Sequence, residues 1–204
     1  MPGAALRVVR PAAGLDLIAA EEAAGAFLIA LGVDLDTEGL AATPARMARA
    51  YAEMFSPRPF DLTTFSNDAG YDEMIIARSI PMRSVCEHHL LPFVRLAHVG
   101  YLPGERILGL SKLARVVELF ARRPQVQERL TQQIADWLLL DHVNPRGVGV
   151  VVEAEHLCMT MRGVGASGAT TVTSALHGQL RSDAASRSEF FTLIGTTSRP
   201  TQSP

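Results

Sequence analysis

Cys86-Glu87-His88-His89 packs a thiol, a carboxylate and two imidazoles into four consecutive residues. A core strand has little use for such a run. The chain has two cysteines, and the second, Cys158, lies two residues after His156. Cys86 and His89 have C-x-x-H spacing, and both can converge on one ion if the segment is a turn at a strand end. A third ligand must come from elsewhere, and Cys158 is the remaining cysteine. Two thiols and an imidazole suit Zn²⁺. Three protein ligands leave the fourth tetrahedral position open for water, as in catalytic rather than structural zinc sites. Bland readings compete with this one. A lone C-x-x-H is a weak signal, and a buried Cys or His more often packs a core than ligates a metal. A structural zinc would need His88 or His156 as its fourth ligand. His88 and His156 otherwise suit proton transfer, or simply hydrogen-bond to their surroundings. A C-x-x-C redox pair is absent.

Composition narrows the function classes. With 48% hydrophobic and 20% charged residues, the 204-residue chain can bury a core and stay soluble. A net charge of -2 supplies no general basic field for coating nucleic acid, so an anionic ligand needs a local cluster. "LDLIAA" is cut short by Glu21 and Glu22 before a secretion signal can form, and no stretch reaches the roughly 20 apolar residues of a membrane span. The expected compartment is the cytoplasm, where thiols stay reduced.

Patterning predicts an α+β chain. Residues 1–14 read as disordered or loosely attached. A helical N-terminal region covers 15–60, with one helix over 15–31 and a second capped by Thr43 with Pro44 at its first position. A single domain over 61–195 follows. "EMIIARSIPMRSV", "VRLAHVGYLP", "GVGVVVEAEH" and "ATTVTSALHGQL" read as strands. Ser111 is expected to cap a helix with Leu113, Val116, Val117 and Phe120 on its apolar stripe. Pro124 is expected to start the next, where Val126, Leu130, Ile134, Trp137 and Leu138 recur at helical spacing. Ser182 or Asp183 would cap a closing helix, and 196–204 read as a flexible tail.

"SVCEHH", "GLSKLARVVELFARRPQVQERLTQQIADWL", "EAEHLCMTMRGV" and "TTVTSALHG", with "TPARMARAY" and "SEFFTLI", span about residues 40–194 in order. In these stretches the sequence resembles the GTP cyclohydrolase I family. The resemblance implies a tunnelling fold (T-fold), with an antiparallel sheet and packed helices, closed into an oligomeric barrel. It implies a homodecamer of two pentamers with active sites at subunit interfaces, and neither nucleic acid nor membrane as partner. The implied reaction is hydrolysis of GTP at guanine C8, loss of formate, ribose rearrangement and ring closure to 7,8-dihydroneopterin triphosphate, the entry to tetrahydrofolate and pterins. Carried over by position, Cys86, His89 and Cys158 would hold one Zn²⁺ per subunit. His88 and His156 would be the proton-transfer pair, and Glu128 would hold the guanine. Lys112, Arg115 and Arg162 would bind the triphosphate, with Ser111 at the same helix start. Arg46 would reach a neighbouring subunit's phosphates. The turn "VGASGAT" is shorter than the family pattern.

The chemistry agrees with this set. Attack at guanine C8 needs an activated water and a proton delivered to N7, which zinc and a histidinium such as His88 would supply. Glu128 can accept from N1–H and the 2-amino group, a donor pair adenine lacks. Lys112 and Arg115 lie three apart in a first helical turn, where an anion is favoured. Glu87 either orients a ligand or faces solvent. Two other readings stand beside the enzyme: a non-catalytic zinc-stabilised oligomer, and a related tunnelling-fold enzyme with a cysteine nucleophile or a three-histidine zinc site. Cys86 and Cys158, both drawn to one ion, are expected to form a disulfide when metal is lost.

Overall fold

The computed structural model describes residues 6–8, 14–140 and 143–195. In chain order these form strand β1 (Leu6–Val8), helices α1 (Leu17–Ala30) and α2 (Thr43–Met54), and strands β2 (Phe60–Leu62), β3 (Thr64–Ser66), β4 (Ile75–Cys86), β5 (Pro92–Leu102) and β6 (Arg106–Leu108). Helix α3 (Leu110–Ala121), strand β7 (Pro124–Gln125), helix α4 (Gln127–Leu138), strand β8 (Gly147–His156) and the short helix α5 (Leu157–Thr160) follow. Strand β9 (Thr171–Gly178), the short α6 (Gln179–Ser182) and helix α7 (Ala184–Ile194) complete the described chain. Within the stretch expected to be loose, Leu6–Val8 instead pairs antiparallel with β2. The expectations for 1–5, 9–13 and 196–204 fall outside the described residues.

A five-stranded sheet in the order β7-β4-β5-β8-β9 forms the scaffold. β4, β5, β8 and β9 pair antiparallel, as expected, but β7 runs parallel to the end of β4. Pro124 therefore begins an edge strand, not a helix. Lacking an N–H, proline fits an edge that needs no further donor. Val126 stays extended, and α4 starts only at Gln127.

One sheet face carries the main core. Leu113, Val116 and Val117 of α3 and Leu130, Ile134 and Leu138 of α4 are buried against Met82, Phe93, Val99, Tyr101, Val150 and Val152. Each such side chain contributes about 1.5–3 kcal/mol on leaving water. On a second cluster, Phe190 and Ile194 of α7 pack with Leu102, Val151 and Leu180. A Cβ at Gly149 would come within 2.9 Å of the Phe190 ring and 2.7 Å of Leu180, so only glycine lets α7 lie so close.

Two helices start earlier than expected, α2 by one residue and α3 by two. α2 begins at Thr43 with Ala42 as N-cap, and Thr43 Oγ1 instead accepts from Arg46. α3 begins at Leu110 with Gly109 as N-cap, because the Gly109 N–H is already tied to the Thr63 carbonyl. Ser111 thus lies inside the first turn. Asp183 does cap α7, accepting from Ser186 N at 2.8 Å. α1, capped by Asp16, packs on α2 and leaves Ile18, Phe27, Ile29 and Leu31 exposed. No helix among the described residues is long and apolar enough to cross a membrane.

Candidate metal and nucleotide site

The β4–β5 connection is a tight turn built around Cys86. Cys86 N–H donates to the Leu91 carbonyl at 2.9 Å, and Leu90 N–H returns to the Cys86 carbonyl at 2.8 Å. Closing so short a loop forces Leu90 to φ 53°, a left-handed conformation that a branched side chain disfavours. Two outside contacts hold it there. Tyr51 of α2 donates to the Leu90 carbonyl at 3.1 Å, and Glu87 N–H donates to the Gln125 carbonyl at 3.0 Å. Phe93 pairs with His156 across β5 and β8, so the end of β8 arrives beside this turn. α5 then carries Cys158 back over it.

Cys86, His89 and Cys158 are thereby brought together, with ligand atoms all within 4.8 Å of one another. Cys86 Sγ and His89 Nδ1 are 3.8 Å apart. Tetrahedral Zn²⁺ with bonds of about 2.0–2.3 Å spaces its ligands about 3.4–3.8 Å apart, so the three donors fit with small side-chain adjustment. Among the described residues this is the one such cluster. Burial, and then the neighbouring Cys86, push the Cys158 thiol up, while the nearby Arg162 opposes this. Two thiols crowded in this way are stabilised as thiolates by a shared cation.

The two other histidines sit differently. His88 has a side chain 64% exposed, with Nδ1 3.8 Å from Cys86 Sγ, free to turn toward a ligand. His156 is partly buried and stacked on Phe93 at 4.6 Å between ring centres. Its Nε2 lies 2.7 Å from Gln127 Oε1. The Gln127 amide nitrogen donates to the Val152 and Thr171 carbonyls at 3.0 and 2.9 Å, which fixes the oxygen toward His156. His156 must therefore carry its proton on Nε2, leaving Nδ1 as the acceptor. Burial lowers the pKa of His156, and the nearby Glu128 carboxylate works against this.

α4 opens at the same end of the sheet. Glu128, exposed, lies in its first turn, where the helix dipole favours a carboxylate. Glu87, left open between ligand orientation and solvent, is held by Arg129 through two bonds of 2.7 and 2.8 Å. That hydrogen bonding is the main cause holding its carboxyl below the usual range.

The family model described as GTP cyclohydrolase I matches residues 20–195. The chain belongs to the GTP cyclohydrolase I family. The match begins about twenty residues before the quoted motifs and takes in most of α1 and all of α2. Among similar proteins, one of Thermobifida fusca named GTP cyclohydrolase 1 is 54% identical over 187 residues, covering 89% of this chain and 90% of that protein. One of Mycobacteroides abscessus with the same name is 56% identical over 184 residues, covering 88% and 90%. One of Mycobacterium leprae is 57% identical over 180 residues, covering 86% and 87%.

Of the positions assigned by resemblance to GTP cyclohydrolase I, Cys86, His88, His89, Glu128, His156, Cys158 and Arg162 gather at one end of the sheet. Ser111, Lys112 and Arg115 do not join them within a single chain. α3 starts by the opposite end, where Leu108 N–H donates to the Tyr101 hydroxyl at 2.9 Å. At about 1.5 Å per residue, Lys112 lies about 14 Å along the axis from Ala121, the helix end nearest the metal turn. Arg115 pairs with Glu118 at 3.5 Å. Arg46 is turned onto its own chain, donating to the Gly39 carbonyl at 2.9 Å and to Thr43 at 3.0 Å.

Gln127, Arg129 and Tyr51 are contacts of this site that motif reading did not single out. Gln127 did leave a signal. It falls three and seven residues before Leu130 and Ile134, on the apolar stripe, where an amide must find partners.

Proposed function

We propose that this protein is a zinc-dependent GTP cyclohydrolase I. It would hydrolyse GTP at C8, release formate and close the ring to 7,8-dihydroneopterin triphosphate, the entry to tetrahydrofolate and pterin synthesis. The observation that carries the reading is the convergence of Cys86, His89 and Cys158 beside Glu128 and His156 in a chain of this family.

Cys86, His89 and Cys158 would hold the metal, one per subunit. Zinc bound there supplies Lewis-acid activation of water for attack at C8. Glu128 accepts from guanine N1–H and the 2-amino group, which sets the ring's orientation and rejects adenine. His88, exposed beside the triad, delivers a proton to N7 as electrons leave C8. His156, with Nε2–H fixed on Gln127, receives or returns a proton at Nδ1 during ring opening and loss of formate.

The triphosphate needs cations, of which Arg162 is near the triad. Ser111, Lys112 and Arg115 lie toward the far end of their own subunit, so a neighbouring copy must contribute them. Arg46 would turn from Gly39 to a neighbour's phosphates. Among the described residues, the sheet edges at β9 and along most of β4 carry no further strand, which supports the same conclusion, since unpaired edges invite another chain. We take the assembly to be a decamer of two pentamers acting in the cytoplasm.

The test is product formation from GTP, read as fluorescent neopterin after oxidation. Zinc-loaded protein should form it, metal-stripped protein should not, and returning zinc should restore it. Full activity without metal would instead indicate a cysteine nucleophile. No pterin from zinc-loaded protein would refute the proposal.

A further inference from the structure

Residues 125–129 join the Cys86–Glu87 turn, His156 and the Glu128 carboxylate. The Gln125 carbonyl accepts from Glu87 N–H, and Gln125 pairs with Cys86 across β4 and β7. The Gln127 side chain fixes His156. Glu128 presents the open carboxylate. Arg129 reaches back to grip Glu87, between metal ligand Cys86 and His88, with Glu87 Oε1 4.0 Å from His88 Nε2. One short segment thus fastens the metal turn and the β8 end to the guanine-reading carboxylate.

Stability does not explain the Arg129–Glu87 contact. Both side chains are partly exposed, at 44% and 31%, where solvent screening limits what an ion pair adds to folding. The turn already has its own closures, Cys86 N–H to Leu91, Leu90 N–H to Cys86, and Tyr51 to Leu90. What the pair adds is geometry. A planar guanidinium bound to both carboxylate oxygens fixes distance and orientation together, which a single hydrogen bond does not. The residue before Arg129 is the one that would hold the base.

We infer that the Arg129–Glu87 bridge is a positioning device that sets the separation between the Glu128 carboxylate and the Cys86–His89–Cys158 metal centre. It keeps guanine C8 in register with the metal and with His88. This rests on the proposed function, because it presumes guanine on Glu128. Neither residue touches the reacting atoms. Both act through the turn and the helix start they join.

The experiment compares wild type with Glu87→Gln, Arg129→Gln, the double variant and Arg129→Lys. Two readouts are used: formate release from GTP, and the ligand-field spectrum of the Co²⁺-substituted protein before and after adding GTP. Before nucleotide, all spectra should match, because the turn keeps its own hydrogen bonds. On adding GTP, wild type should show a spectral shift as the base seats by the metal, and the single variants should show less than about half of it. Each single variant should lose about tenfold or more in kcat with KM within about threefold. The double variant should lose no more than a single one, since one contact is removed. Arg129→Lys should not rescue, because an ammonium cannot bind both oxygens. Wild-type turnover with single variants within about twofold, or losses that multiply in the double variant, would overturn the inference. So would a changed cobalt spectrum before nucleotide, which would make the bridge a support of the metal turn alone. A wild type that neither releases formate nor shifts its cobalt spectrum would refute the proposed function itself, and the bridge's role with it.

Discussion

At His156, one buried amide settles what an imidazole can do. Gln127 spends its N–H groups on the Val152 and Thr171 carbonyls and offers His156 only an acceptor. The imidazole is left with Nδ1 as its open nitrogen. At the candidate metal site the donors are equally constrained, since two thiols and an imidazole stand within 4.8 Å of one another. With metal stripped and air admitted, Cys86 and Cys158 should oxidise to a disulfide. A thiol count should fall from two to none, and two persisting thiols would refute this. The clustering of these three donors was legible in the sequence because each cysteine stands within three residues of a histidine. Gln127 and Arg129 were not, because helical spacing tells which face a residue takes but not which partner from β8, β9 or the metal turn lies opposite. Glu87 stayed ambiguous for the same reason: its partner, Arg129, is 42 residues away.

At the scale of elements, strands were easier to read than helix starts. Alternation and β-branched runs located β4, β5, β8 and β9. The start of α2 shifted with the Thr43 hydroxyl taken by Arg46, that of α3 with the Gly109–Thr63 hydrogen bond, and that of α4 with the edge pairing of β7. α3 also carries a testable charge cluster. Glu118 accepts from Arg58 Nε and Nη2 at 2.8 Å each and meets Arg122 at 3.2 Å. Hydrogen bonding to Arg58 is the largest cause holding the Glu118 carboxyl below its usual value, against the effect of burial. A depressed carboxyl contributes stability that is fully present above the unfolded pKa, about 4.3, and is lost as pH falls through the folded value. The Tm advantage of wild type over Glu118→Gln should therefore be constant from neutral pH down to mildly acidic conditions, then shrink below about pH 4.3. An advantage that persists unchanged into strong acid would contradict this.

At the scale of the molecule, the fold separates residues that the proposed chemistry would bring together. The Cys86–His89–Cys158 cluster, Glu128 and His156 lie at one end of the sheet, and Ser111 and Lys112 at the other. If sites are completed by a neighbour, two inactive variants should complement each other. Lys112→Ala and His156→Ala, each inactive alone, should regain activity when co-assembled, with about a quarter of sites intact by random mixing. No recovery in verified mixed oligomers would show that each subunit completes its own site.

The most direct measurement is formate released from GTP by purified, zinc-loaded protein, with ATP and His88→Ala as controls. One formate per GTP consumed, none from ATP and none from the variant would establish the reaction, the purine selectivity and the role of His88 together. Zinc-loaded protein that binds GTP yet releases no formate would contradict the cyclohydrolase reading.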